Sequence, residues 1–290
     1  MSFPIILFRY LTNLKRCEKL FKDISKVILF SDMDGTLLTS KKEITQKDLD
    51  AIKRFVSLGG KFTIATGRTV QTFEQYRNML GIDIPIILYN GALIYDYSTK
   101  ETLYMNPLPE NAKDIALEIL EKMPEAGGEV LKADGTYVFR NNDYEQLHTD
   151  LCQIIPNYAE LKDIDSAGWL KVLFAMAPEE IPHMELLVHQ SGYDSVSFVK
   201  SSDIFYEMLT QGISKGSALN EYRKLKGYED YTFVAIGDFD NDTEMIEYAD
   251  LGVCPANAEE SVKQKADLVL KNTCDEGAVA ELIDYIIHNS

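Results

Sequence analysis

The chain has 290 residues, 46% of them hydrophobic and 26% charged, which is enough for two domains with well-filled cores. Its formal net charge of −17 argues against nucleic acid or an anionic membrane as a partner. Four cysteines (Cys17, Cys152, Cys254 and Cys274) lie far apart, with no Cys-x-x-Cys and no histidine spacing suited to zinc, so they read as reduced thiols of a cytoplasmic protein.

Met1 to Tyr10 is apolar but too short to span a bilayer. No basic region precedes it and no small-residue cleavage site follows. Residues 11–22 carry the pattern of an amphipathic helix. The expectation for residues 1–24 is a packed or loosely ordered extension, with a membrane-surface anchor as the alternative.

The stretch Lys26 to Leu38, KVILFSDMDGTLL, organises the rest of the chain. Val27 to Phe30 have the apolar continuity of a strand buried on both faces. The strand delivers Asp32 and Asp34 to its C-terminal end, and two residues apart on extended chain their side chains share one side. Gly35 permits a sharp turn, and Thr36 offers a hydroxyl beyond it. Alone, an Asp-x-Asp after a strand is more often a turn or capping pair.

Downstream, 44–60 predicts a helix with Thr45 as N-cap, Leu49, Ile52 and Val56 on one face, and Gly59-Gly60 as its stop. KFTIA is a second strand ending at Thr66-Gly67-Arg68. A helix over 69–81 comes next, then a third strand, PIILY, ending at Asn90-Gly91. Strand–helix–strand–helix–strand with apolar strands implies a parallel α/β sheet with right-handed crossovers. From Ser214 the same grammar resumes: helix, the strand YTFVAIGD, then further helices and short strands to the end. The middle differs. ALIYDY and ETLYMN read as a hairpin, GEVLKA and TYVFR flank the turn Asp134-Gly135, and WLKVLFAMA, a helix over 178–192 and DSVSFVK complete an α+β insertion over 94–196.

Four motifs stand at strand ends or open helices: DMDGT, ATGR, SKG and GDFDND. Thr66 offers a hydroxyl and the backbone after it amides, although Thr-Gly after a strand is usually a turn. Lys215, alone, is an ordinary solvated lysine. Asp238, Asn241 and Asp242 suggest Mg²⁺, which prefers oxygen ligands, though in isolation they read as a polar helix cap. Their order and type resemble the haloacid dehalogenase superfamily over essentially all of the chain after residue 25. The insertion between the second and third motifs is the cap position of subclass IIB. Asn90-Gly91-Ala92, EMLTQGISKG and the C-terminal ANAEESVKQKADLVLKNTCDEGAVAEL resemble Cof-type hydrolases, apart from Pro255-Ala256 where such chains often carry Met-Gly.

The resemblance implies a Rossmann-like, doubly wound parallel core over 25–93 and 197–290 with an inserted α+β cap (C2B type) over 94–196. It implies a Mg²⁺-dependent phosphatase of small phosphate esters, sugar phosphates first among them, with Asp32 as nucleophile and Asp34 as general acid/base. Mg²⁺ would be held by Asp32, the Asp34 carbonyl and Asp238, with Asp242 behind. Thr66, Gly67, Lys215 and Asn241 would hold phosphate, Asn241 reaching Lys215 or a phosphate oxygen. Arg68, Asn90 and Lys171 are weaker substrate candidates; Lys171 either faces the substrate or snorkels at a sheet edge. A phosphomutase and a non-catalytic phosphate sensor are the rival readings; retention of both Asp32 and Asp34 speaks against the sensor. The chain is expected to be a monomer or weak homo-oligomer.

Overall fold

An uninterrupted apolar run makes Val27–Ser31 (β1) a strand buried along its whole length. The computed structural model describes residues 20–290, so the apolar run 1–10, Cys17 and most of the expected helix over 11–22 lie outside the described residues. The chain divides into two compact units. One comprises the described residues up to Thr66, Tyr76–Leu103 and Ser214–Ser290; the other comprises Gly67–Gln75 and Tyr104–Ile213.

In the first unit α1 (Gln46–Ser57) starts at Thr45, whose side chain accepts from Asp48 N. Its buried face is Asp48, Ala51, Ile52 and Phe55 rather than the predicted Leu49, Ile52 and Val56, and Val56 is exposed. β2 (Lys61–Ile64) pairs in parallel with β1. After α2 (Val70–Leu80), β3 (Ile86–Leu88) touches the end of β2 through the single parallel bridge Ala65–Ile87. It pairs instead antiparallel with β4 (Leu93–Asp96), and β5 (Glu101–Met105) completes that three-stranded sheet. The hairpin predicted to open the insertion therefore belongs, as far as Leu103, with the first unit.

The second unit holds β6 (Gly127–Lys132), β7 (Gly135–Arg140), the short β8 (Asn157–Tyr158), β9 (Trp169–Ala175), β10 (Val196–Lys200) and β11 (Phe205–Thr210). Their order is β10-β11-β9-β6-β7-β8. Two helices, α3 (Ala112–Lys122) and α5 (Ile181–Ser191), pack on one face around Ile119, Val130, Val172, Phe174, Met184 and Met208. Between them in sequence, α4 (Asp143–Cys152) packs against β6 and β9. Neither α4 nor β11 is among the predicted elements. The unit runs past residue 196 to Ile213 because β11 pairs with both β10 and β9.

The chain returns to the first unit through α6 (Lys215–Arg223), β12 (Thr232–Ile236), α7 (Thr243–Tyr248), β13 (Leu251–Cys254), α8 (Glu260–Lys263), β14 (Leu268–Val269) and α9 (Ala278–His288). The parallel sheet runs β14-β13-β12-β1-β2, so the strand order reverses direction between β1 and β12. In open α/β sheets that switch point is where ligands bind, outside the strands' C-terminal ends. Asp48 explains the face of α1: its Oδ1 accepts from Ala280 N at 2.8 Å, capping the first turn of α9, so a polar residue belongs on the inner side. Among the described residues no helix is long and apolar enough to cross a membrane.

One glycine is decisive for bringing the loops together. Gly91 has φ +105, and a Cβ there would stand 2.1 Å from Ser214 O, at the cap of α6. Gly91→Ala is expected to lose about 2 kcal/mol or more. Urea unfolding monitored by circular dichroism measures it, and a loss below about 0.5 kcal/mol would mean the loop yields without strain.

Candidate active site

Asp32 follows the last residue of β1, and its N–H donates to Ile236 O at 2.9 Å, extending the β1–β12 pairing by one residue. This fixes the aspartate's backbone at the switch point while the side chain leaves the strand end. Gly35, at φ +90, then bends the chain, and a Cβ there would stand 2.3 Å from Asp238 Oδ2. Only glycine lets the two strand-end loops approach this closely. Thr36 Oγ1 donates to Asp238 Oδ1 at 2.7 Å, which locks the second loop to the first. Asn257 adds a further tie, donating from Nδ2 to Gly35 O at 2.8 Å while its Oδ1 accepts from Cys274 N at 2.8 Å.

Lys215 is the first residue of α6, behind a capping box in which Ser214 and Ser217 exchange side-chain and backbone bonds. It is 1% exposed, and its Nζ donates to Asp32 Oδ1 at 2.5 Å and to Asp242 Oδ1 at 2.6 Å. The solvated-lysine alternative is thereby excluded. Asp242 spends its other oxygen on the backbone, Oδ2 accepting from Asp238 N at 3.0 Å and Phe239 N at 3.1 Å. Thr66 sits at the end of β2, where Thr66 O accepts from Asn90 N at 3.0 Å. Asn90 Oδ1 accepts from Asn241 Nδ2 at 3.2 Å. Tyr89 and Asn90 both have positive φ, 52 and 55, a left-handed pair that keeps backbone strain at this loop.

The structure thus brings Asp32, Asp34, Thr66, Asn90, Lys215, Asp238, Asn241 and Asp242 into one unit and places Gly67, Arg68 and Lys171 in the other. Lys171 lies in β9, between β11 and β6, and is 4% exposed, so it does not snorkel at a sheet edge. Its Nζ donates to Glu207 Oε1 at 2.8 Å and lies 3.5 Å from Gly67 O. Residues missed as site members are Thr36, Asn257 and Lys42, whose Nζ stands 2.9 Å from Asp34 Oδ1. Thr36 carried a signal, its hydroxyl directly after the turn; Lys42 carried none.

The model of the haloacid dehalogenase-like hydrolase family matches residues 29–283. The chain belongs to this superfamily, as a Cof-type phosphatase. It is 30% identical over 299 residues to the 5-amino-6-(5-phospho-D-ribitylamino)uracil phosphatase YwtE of Bacillus subtilis, covering 88% of this chain and 96% of that one. It is 27% identical over 280 residues to the pyridoxal phosphate phosphatase YbhA of Escherichia coli, covering 88% and 97%. A haloacid dehalogenase-like hydrolase from Bacteroides thetaiotaomicron superposes with a TM-score of 0.78 at 28% identity, over 90% of this chain and 99% of that one.

The charges of the Asp32 cluster do not balance within it. Ligand oxygens of Asp32, Asp238 and Asp242 lie within 4.8 Å of one another, against one ammonium group. Burial, then the neighbouring Asp242, raises the Asp32 carboxyl well above the usual carboxylate range, with Lys215 opposing. Burial pushes Asp238 up to about 6, against the bond from Thr36 and with the charge of Asp242 adding. Burial works against the charge on Lys215, but Asp242 and Asp32 outweigh it and raise its pKa. An all-oxygen donor set with surplus negative charge fits a hard divalent cation.

Two variants separate buried from exposed pairing. Asp242→Ala removes one of the two carboxylates that hold the buried Lys215 and leaves the Asp238 and Phe239 amides without their acceptor, and should lose about 3 kcal/mol or more. Lys42→Ala removes a pair whose side chains are 63% and 41% exposed and should change stability by less than about 1 kcal/mol. Denaturant midpoints of both, against wild type, check the ordering; equal losses would refute it.

Proposed function

We propose that this phosphatase hydrolyses small phosphomonoesters through an aspartyl-phosphate formed on Asp32, with Mg²⁺ as cofactor and sugar phosphates as the substrate class. The observation that supports it best is the buried Asp32–Lys215–Asp242 array at the end of β1, where one carboxylate is aimed out of the strand and pinned by a single oxygen. Lys215 takes Asp32 Oδ1, which leaves Oδ2 as the attacking atom. As the P–Oδ2 bond forms, the bond to the ester oxygen breaks, and Asp34 gives its proton to the departing alkoxide. Water then attacks phosphorus, Asp34 takes its proton, and the acyl phosphate opens to regenerate the Asp32 carboxylate and release phosphate. Asp34 suits a group that must exchange protons in both steps, because its side chain is 41% exposed while Asp32 is buried.

Thr66 and Lys215 hold the non-bridging oxygens. Asn241 and Asn90 position the loop beside them, and Asp242 orients Lys215 and the Asp238 loop. Mg²⁺, held by Asp32, Asp238 and the Asp34 carbonyl with Asp242 behind them, supplies charge neutralisation for the transferring oxygens. Without it a phosphate dianion would meet an acidic site in a chain of charge −17. The inserted unit, with Gly67, Arg68 and Lys171, supplies substrate discrimination in this reading.

Three measurements test it. Asp32→Asn should show no turnover, since an amide does not attack phosphorus, and retained activity in protein free of host phosphatase would refute the nucleophile. Asp34→Asn should give a burst of nitrophenol from nitrophenyl phosphate, whose leaving group needs no acid, followed by near-zero turnover; undiminished steady-state hydrolysis of an alkyl phosphate refutes the acid/base role. Turnover should release inorganic phosphate without a bisphosphate activator, vanish in excess EDTA and return with Mg²⁺. Full activity in EDTA overturns the metal requirement, and a need for bisphosphate favours the mutase.

A further inference from the structure

The second unit contains an ionisable cluster that phosphoryl transfer does not use. Along β6, Val130 points into the core with Val172 and Phe174, so its neighbour Glu129 points to the opposite sheet face. α4 covers that position. Asn142 caps the helix, accepting from Tyr144 N at 3.1 Å and Glu145 N at 2.8 Å, and its amide donates to Glu125 O at 3.0 Å and Ala175 O at 2.9 Å. The start of α4 is thereby tied to the chain before β6 and to the end of β9. Glu145 and His148 are three residues apart and Cys152 comes four later, so all three share one helix face.

That face meets Glu129. Ligand atoms of Glu129, Glu145 and His148 lie within 4.8 Å of one another. Both glutamates are 0% exposed, and none of their four carboxylate oxygens has a hydrogen-bond partner; nor does His148 Nδ1. His148 Nδ1 stands 3.2 Å from Glu129 Oε1, which is ion-pair distance without hydrogen-bond alignment. Phe205 closes one side, its ring edge-on to the imidazole at 5.0 Å. Buried carboxylates persist when they are paired, protonated or bound to a metal, and oxygens without aligned hydrogen bonds converging on an imidazole are an arrangement that a metal ion would satisfy.

We propose that Glu129, Glu145 and His148 form a binding site for a divalent transition-metal ion of the zinc type, which fastens α4 to the sheet. The mixed donor set decides the class, because imidazole suits zinc and its neighbours whereas magnesium and calcium take oxygen ligands. Water or Cys152, which lies beside His148, completes the coordination. In the absence of metal the cluster holds protons. Burial and then the charge of Glu129 push Glu145 up to about 9. Burial opposes the charge on His148, but Cys152 and Glu129 outweigh it and push the imidazole up to about 10. A dication with Glu145 ionised and His148 neutral carries the same total charge as the proton-loaded cluster, so the ion displaces protons and leaves the local charge unchanged.

The test uses full-length protein stripped with a chelator and titrated with Zn²⁺. Wild type is expected to retain one more equivalent of zinc after desalting than His148→Ala, and Asp32→Asn to leave that equivalent in place. Calorimetry in buffers of different ionisation enthalpy should show about two protons released per ion at neutral pH. Zinc should raise the melting temperature of wild type and not of His148→Ala. Glu145→Gln, which keeps the shape of the protonated acid, gives the same comparison should His148→Ala fail to fold. Equal zinc content in wild type and the folded variants overturns the site. So does the absence of any equivalent beyond the one that Asp32→Asn removes, which would leave the cluster a pair of carboxyls sharing a proton.

Discussion

Lys215 held between Asp32 and Asp242 is the interaction on which the catalytic unit depends. It joins β1, α6 and the loop after β12, three pieces of chain separated by 183 and 27 residues along the two bonds. A buried ion pair of this kind is weak evidence for net stability, since desolvating the charges offsets much of their attraction. Its value is positional. Removing Lys215 leaves two buried carboxylates facing each other, and removing either aspartate unties one of the three elements, so all bonds are satisfied together in one arrangement. The neighbouring constraints serve that arrangement. Ser214 and Ser217 cap the helix that carries the lysine, and Gly216 lets α6 approach the backbone of Glu244 in α7, where a Cβ would stand 2.5 Å from Glu244 C.

The two carboxylates of one short motif sit in opposite environments. Asp32 is 6% exposed and bonded to the lysine; Asp34 is outside, paired with an exposed Lys42. Separation of environment is what the proposed roles, a fixed nucleophile and a proton-exchanging acid, require of one residue type. The turn at Gly35 creates that separation. It ends the strand alternation that would have kept both side chains together, and it brings Asp238 against the turn in the space a side chain would have filled.

What the sequence made legible was local. Each strand-end motif announced itself through an apolar run, a turn residue and a polar cluster, and each stands at the end of its strand. Illegible features were those set by distant chain. The inner face of α1 was misread because Asp48 is polar, yet it is buried to cap α9 some 232 residues away. β11 was missed because its membership of the second sheet is decided by β9 and β10, not by its own pattern. The bond from Asn241 to Asn90 was not foreseen, because the left-handed turn at Tyr89 and Asn90 that brings Asn90 within reach is invisible in residue identity. The Glu145–His148 pair went unread because its third partner, Glu129, comes from another element and no cysteine or histidine pattern flags it.

The two acidic clusters are physically alike in one respect. Around Asp32, three carboxylates face a single lysine, an excess of two negative charges. Around Glu129, two carboxylates face a histidine, which again leaves two negative charges within the group when the imidazole is neutral. Each reaches neutrality with one divalent ion, and each otherwise takes up protons, as the raised carboxyls of Asp32 and Glu145 show. They differ in donor chemistry. The first is all oxygen and stands at the C-terminal ends of the parallel strands; the second includes an imidazole carried by a helix packed on the sheet. An all-oxygen site suits an ion that exchanges its ligands readily, and a mixed site with an imidazole suits one held more firmly. The same electrostatic demand, buried negative charge short of cations, thus arises once in each unit, and the proposed phosphoryl transfer and the proposed fastening of α4 each rest on one instance of it.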